Sequence, residues 1–200
     1  ERGAALLGIT LTKRHDMPMA GIPSHAAEGY LTKLLNLGHK VAICDQLEAP
    51  KTGKLVKRGI TRILTPGTLL EDQQLDASSN HFLVALDLDK KAAFGSWLDL
   101  STGKFMLNQS SSLQDFLSIL SALSPREVLL PESLSSKVVH WEGSDLFQDE
   151  LDRILTDVTQ TERPDFDFDQ KAGAREVMES LGVMNLEGYG IGLSHPGLGP

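Results

Sequence analysis

The feature that most limits how this chain can fold is a change of character between residues 65 and 80. Thr65-Pro66-Gly67-Thr68 is a breaker cluster, and the stretch after it is polar and acidic, with Glu71, Asp72, Gln73, Gln74, Asp76, Ser78, Ser79 and Asn80. The charge changes sign at the same place. Residues 1–65 hold ten Lys and Arg against five Asp and Glu, a formal +5, whereas the remaining 135 residues hold nine against twenty-two, a formal −13. One evenly charged domain does not fit this pattern. It predicts two units with different surfaces, 1–65 and 81–200, joined by a linker at 66–80. The basic unit suits a polyanion and the acidic one does not. The ordinary reading of +5 on 65 residues is a solvated surface.

Composition removes several classes. Two hundred residues at 40% hydrophobic content can bury a real core. No window approaches eighteen uncharged apolar residues, so no membrane span is expected, and no basic stretch precedes an apolar run as in a signal peptide. The single cysteine, Cys44, cannot form an internal disulfide; a reducing, cytoplasmic setting is the expectation, with Cys44 in a core. Glu1-Arg2-Gly3-Ala4-Ala5-Leu6-Leu7-Gly8 reads as the last turns of a helix closed by Gly8, and residues 190–200 trail into Gly and Pro. A piece of a longer protein is expected.

The first unit reads as a small mixed α/β piece. Ile9-Thr10-Leu11-Thr12 is a strand candidate, and Lys13 to Pro23 a loop with two prolines and a glycine. Ser24 is the expected N-cap of an amphipathic helix carrying Ala27, Tyr30, Leu31, Leu34 and Leu35 and ended by Gly38. Val41-Ala42-Ile43-Cys44 is expected to be a short buried strand. Residues 50–59 form a basic hairpin or loop, and Ile60 to Leu64 another strand.

The second unit opens with three strands, Phe82 to Leu88, Ala92 to Leu100 and Lys104 to Asn108, whose short connections predict antiparallel hairpins. A helix follows with Leu113, Phe116, Leu117 and Leu120, then a strand at 127–130 and helices over 145–155 and 169–181, the last closed by Gly182. This α/β order is that of an RNase H-like sheet.

Such a sheet can house chemistry. Asp87 and Asp89 share a strand face with Leu83 and Ala85, and Asp99 lies on the next strand; paired carboxylates of this kind hold the two metal ions of a nuclease. A metal-dependent nuclease using Asp87 and Asp99 is therefore one alternative, and a pure protein-interaction module with the acidic unit as its working surface is another. Against the first, Asp89 beside Lys90-Lys91 suits a turn, and neither Glu nor His completes the set. The six histidines have no ligand spacing, no phosphate-cradling Gly-x-x-x-x-Gly-Lys-Ser/Thr loop is present, and Gly188 to Gly192 is a turn signal. No catalytic, cofactor-binding or metal-binding residue is assigned. The segment after the first strand is more suggestive. Lys13 and Arg14 stand beside a proline-braced stretch with Met17 and Met19 exposed, a mixture suited to phosphate contacts next to an apolar wedge. The ordinary reading is a solvated Lys-Arg pair with both Met on the core.

Four segments, in order, resemble the MutS family of DNA mismatch repair proteins: Gly8-Ile9-Thr10-Leu11-Thr12-Lys13-Arg14, Pro18-Met19-Ala20-Gly21-Ile22-Pro23-Ser24-His25-Ala26, Val41-Ala42-Ile43-Cys44-Asp45-Gln46 and Arg62-Ile63-Leu64-Thr65-Pro66-Gly67-Thr68. Asp99-Leu100-Ser101-Thr102-Gly103-Lys104-Phe105 continues the likeness, which is fainter from about residue 110. The resemblance implies that residues 1–65 are most of a mismatch-binding domain and 81–200 an RNase H-like connector domain without nuclease activity. It implies that the Phe-x-Glu mismatch reader precedes residue 1, and that the ATPase, with its ATP and Mg, belongs to a parent protein rather than to this chain. It also implies that the parent is a homodimer binding mismatched double-stranded DNA and a MutL-type partner. Lys13, Arg14, Met19 and, less closely, His25 match positions on the DNA-facing side.

Overall fold

The computed structural model describes residues 1–49, 55–68, 81–88, 92–135 and 145–200. The chain divides into two compact units, Glu1–Leu69 and Leu70–Pro200. Of the expected linker, Pro66–Thr68 form a 3-10 turn that closes on itself through Thr68 N–H to the Thr65 carbonyl at 3.0 Å. Residues 69–80 lie outside the described residues, as does Asp89.

In the first unit, helix α1 (Arg2–Leu7) ends at Gly8, whose φ of 68° is the left-handed geometry glycine adopts without cost. The strand expected at 9–12 does not form there. Pairing starts at Thr12, and the segment read as a loop is a hairpin of β1 (Thr12–Arg14) and β2 (Met17–Met19). A two-residue turn, His15-Asp16, brings the strands together. The turn makes Arg14 and Met17 the hydrogen-bonded pair, so Pro18 opposite Lys13 falls at a non-hydrogen-bonded position where its missing N–H costs no ladder bond.

Ser24 is not the N-cap. Pro23, held extended at φ −61° and ψ 138°, starts a 3-10 turn over Ser24–Ala26, and α2 (Ala27–Asn36) follows with Ala26 at its cap position. Leu35 is the buried anchor of α2, and Gly38 at φ 78° ends it as expected. Strands β3 (Val41–Gln46) and β4 (Arg58–Leu64) form a two-stranded antiparallel ribbon with an irregularity at Ile43/Cys44. The ribbon is not buried: Cys44 is exposed, and Ile60 and Ile63 are each 65% exposed. A continuous apolar run reads as buried only when both of its faces are covered, and here they are not.

The second unit holds a five-stranded sheet of β5 (Phe82–Leu88), β6 (Ala93–Asp99), β7 (Lys104–Ser110), β8 (Glu127–Pro131) and β9 (Thr159–Arg163), in the order β7-β6-β5-β8-β9. The first three are antiparallel, and β8 and β9 run parallel to β5. This is the RNase H-like order expected. The sequence reading did not anticipate β9, a polar edge strand. Its signal is the alternation of Thr159 and Thr161; the Thr161 hydroxyl bonds the carboxylate of Glu127, which is otherwise sealed in the sheet.

Helix α3 (Leu113–Leu123), capped by Ser112 accepting from Asp115 N–H at 3.2 Å, packs on one face of the sheet. The short α4 (Glu132–Ser135) follows β8, and α5 (Asp145–Thr156) lies beside α3. Phe82, Val84, Leu86, Trp97, Phe116, Leu120, Val128 and Leu151 form the core there. Helix α6 (Gln170–Leu181), capped by Asp169, builds a second apolar cluster from Ala174, Leu186 and Leu198 that includes Leu107 of β7. Since Met106 packs with the first cluster and Leu107 with the second, successive residues of β7 face opposite layers.

A terminal strap completes this second layer. The 3-10 turn Pro196–Leu198 is capped by His195, whose Nδ1 accepts from the Gly197 N–H at 3.1 Å, and Ser96 Oγ donates to the Pro200 carbonyl at 2.6 Å. The strap lies against Gly173 so closely that a Cβ there would stand 1.8 Å from the Leu198 carbonyl oxygen.

Candidate nucleic-acid interface

The β1–β2 hairpin carries three of the four expected contact residues, and every residue of its strands is exposed. Its register sorts them. Residues directly opposite one another in an antiparallel pair share a face, and neighbours along a strand do not. Arg14 therefore lies beside Met17, and Thr12 beside Met19, on one face. Lys13 lies beside Pro18 on the other. The two cations adjacent in sequence point to opposite sides, and Met19 belongs with Arg14 rather than with Lys13.

His15 holds φ at 55°, and Thr12 Oγ1 donates to the Met19 carbonyl at 2.9 Å at the base. Met17 is 71% exposed and Met19 45%. The family resemblance does not place Met17 among the contact residues, although the sequence marks it as exposed beside the two cations. The signal that finds it is the spacing Arg14-x-x-Met17, which a two-residue turn converts into a cross-strand pair. His25 is exposed in the turn preceding α2, off the hairpin. No ion pair of Lys13 or Arg14 is found among the described residues. The hairpin thus presents Arg14 beside uncovered thioether side chains on one face and Lys13 beside Pro18 on the other. On β4, Arg58 and Arg62 are exposed on the same strand as Ile60.

Among the described residues, Asp87 and Asp99 do not come together as a metal site, and no cluster of three or more His, Cys, Asp or Glu is present. Asp99 pairs with Phe82 and so faces the first core cluster, whereas Asp87 pairs with Phe94 on the opposite face. They also stand five residues apart along β5, about 16 Å at strand spacing, far more than two shared metal ions tolerate. The nuclease alternative fails on this geometry. Asp99 has a structural task instead. Burial would raise its pKa, but the carboxylate accepts from Ser101 Oγ at 2.7 Å, Thr102 Oγ1 at 2.8 Å, and the backbone N–H groups of His81 and Ser101. These bonds to the ionised form prevail and hold the pKa down to about 2. Asp99 thereby ties the β6–β7 turn to the start of β5.

Comparison with known proteins decides the family. Residues 1–73 match MutS domain I and residues 81–199 match MutS domain II, in that order. The chain belongs to the MutS family. Among MutS relatives, the DNA mismatch repair protein MutS of Nitratidesulfovibrio vulgaris strain DP4 is 38% identical over 201 residues, covering 96% of this chain and 21% of the relative. Those of Thermotoga neapolitana and Wolbachia pipientis wMel are 45% and 43% identical over 134 and 145 residues, covering 66% and 67% of this chain and 17% of each relative. The chain spans about a fifth of the length of the MutS relatives it matches. Its two units correspond to MutS domains I and II. Among the described residues, no helix is long and apolar enough to cross a membrane.

Proposed function

We propose that this chain is the DNA-contacting and connecting part of a mismatch repair protein. The first unit lays its basic hairpin on duplex DNA near a mispair, and the RNase H-like unit links that contact to the remainder of the protein. The observation that carries this reading is the ordered match to MutS domains I and II on a chain whose net positive charge lies on the domain I side. Cations set the register on phosphates, and a mispaired step bends at lower cost than a matched one, so the duplex reports its defect through deformability. The parent acts as a cytoplasmic homodimer with a MutL-type partner. ATP and Mg serve it through residues outside this chain, which has no phosphate-cradling Gly-x-x-x-x-Gly-Lys-Ser/Thr loop.

Fluorescence anisotropy tests this on the 200-residue chain and on the full-length protein, with matched and G·T-mismatched duplexes at two salt concentrations. The expected result is salt-dependent duplex binding by both, mismatch preference by the full-length protein, and no ATP turnover by the chain alone. Absence of mismatch preference in the full-length protein refutes the reading, as does ATP hydrolysis by the pure chain.

A further inference from the structure

The hairpin register assigns the DNA contact to one face only, and we propose that Arg14 and Met17 form its working pair, with Met19 as apolar support and Lys13 outside the contact. This rests on the mismatch-repair reading above and sharpens it. Three observations carry it. Arg14 and Met17 are directly opposite across the ladder, which brings their Cβ atoms to about 5 Å, so a guanidinium and a thioether arm leave the same spot. Met17 at 71% exposure and Met19 at 45% leave on this face an apolar surface that the chain's described residues do not cover. The Lys13 face offers one cation beside a proline.

A two-stranded hairpin is marginal in water by itself, and one that leaves two methionines uncovered on one side is suited to a partner that covers that side. With no carboxylate paired to Arg14 among the described residues, a polyanion that also offers an apolar surface complements the face. Duplex DNA has both, in its phosphates and in the sugar rings and base faces that an apolar side chain meets at a minor-groove step. Arg14 then holds a phosphate while Met17 bears on the neighbouring step. The proposal separates two adjacent cations that a sequence reading treats alike.

The test uses the full-length protein and a labelled duplex, comparing Lys13→Ala, Arg14→Ala, Met17→Ala, Met17→Leu and the double variant Arg14→Ala/Met17→Ala. Arg14→Ala is expected to weaken binding several-fold and to reduce the slope of log affinity against log salt by about 1. Met17→Ala weakens binding with the slope unchanged, and Met17→Leu restores it, which separates apolar contact from loss of the hairpin. The double variant loses less than the product of the single losses, because the two side chains share one contact. Lys13→Ala leaves affinity and slope within about twofold of the starting protein. If the unaltered protein binds duplex in a salt-dependent way but Lys13→Ala costs as much as Arg14→Ala, or Met17→Ala costs nothing, the assignment of the face is overturned and the DNA reading stands. If the unaltered protein does not bind duplex even at low salt, the DNA reading falls and takes this one with it.

Discussion

Replacing Gly173 by alanine sets two physical effects against each other. Gly173 sits in the first half of α6, where alanine is normally the better residue by about 1 kcal/mol. The strap reverses the sign. The new Cβ would stand 1.8 Å from the Leu198 carbonyl oxygen, a backbone atom that cannot rotate away, while real Cβ atoms essentially never come within 3.0 Å. The strap must therefore retreat by at least about 1.2 Å, and packed contacts do not stretch that far. Leu198, now 2% exposed, loses burial that stabilises by about 2 kcal/mol, and the Ser96–Pro200 hydrogen bond adds about 1 kcal/mol. After the helix gain is subtracted, Gly173→Ala costs about 2 kcal/mol, a fall in melting temperature of about 5–10 °C. Both tryptophans, Trp97 and Trp141, fall within the second unit, so urea unfolding followed by tryptophan fluorescence reports on that unit. Limited proteolysis should also cut the strap sooner. A Gly173→Ala protein as stable as its parent, or more so, would show that the strap is not seated on α6.

Gly29→Ala provides the opposite case: Gly29 lies within α2 with nothing within 4 Å of its would-be Cβ, so the substitution should stabilise the first unit by about 0.5–1 kcal/mol in thermal melts followed by circular dichroism. Asp99 has a folded-state pKa lowered to about 2, below the ordinary carboxylate range, so its stabilisation is present above about pH 4 and is lost as pH falls towards 2. Asp99→Asn should therefore cost about 1–2 kcal/mol at neutral pH, with surface screening discounted, and should flatten the stability profile between pH 4 and pH 2 in acid titrations. Thr161→Val removes the hydroxyl that bonds Glu127, whose side chain is buried, and should destabilise the second unit by about 1–3 kcal/mol in urea unfolding. Phe116→Ala, at a side chain 2% exposed in the α3–sheet core, should cost about 3–5 kcal/mol in the same assay.

Strands β5 to β7 were legible because short turn signals separate runs of the right length, β8 because a proline bounds its apolar run on each side, and α3 and α6 because apolar spacing agrees with the Ser residues before α3 and the glycine that closes α6. The hairpin was not. Its strands are three residues each, too short for a period to declare itself, and Pro18 argues against a strand unless the register is known. β9 escaped for a related reason. An edge strand carrying Thr, Gln and Glu has no apolar alternation, and Glu127, which it satisfies, lies 34 residues away from Thr161 in sequence. Asp87 and Asp99 looked equivalent because each lies near one end of a strand; only cross-strand register shows that they face different layers.

Family membership, the division into two units, the charge contrast between them and most elements of the second unit belong to the sequence by itself. Family membership rests on the resemblance of ordered motifs and the others on local composition and spacing, none of which needs knowledge of what touches what. Tertiary structure alone decided which of two adjacent cations shares a face with the methionines, that two candidate metal ligands are separated by the thickness and length of a sheet, and that Gly173 is a seat for the strap. Each of these depends on which residue of one segment lies opposite which residue of another. A shift of one residue in that pairing sends a side chain to the other face.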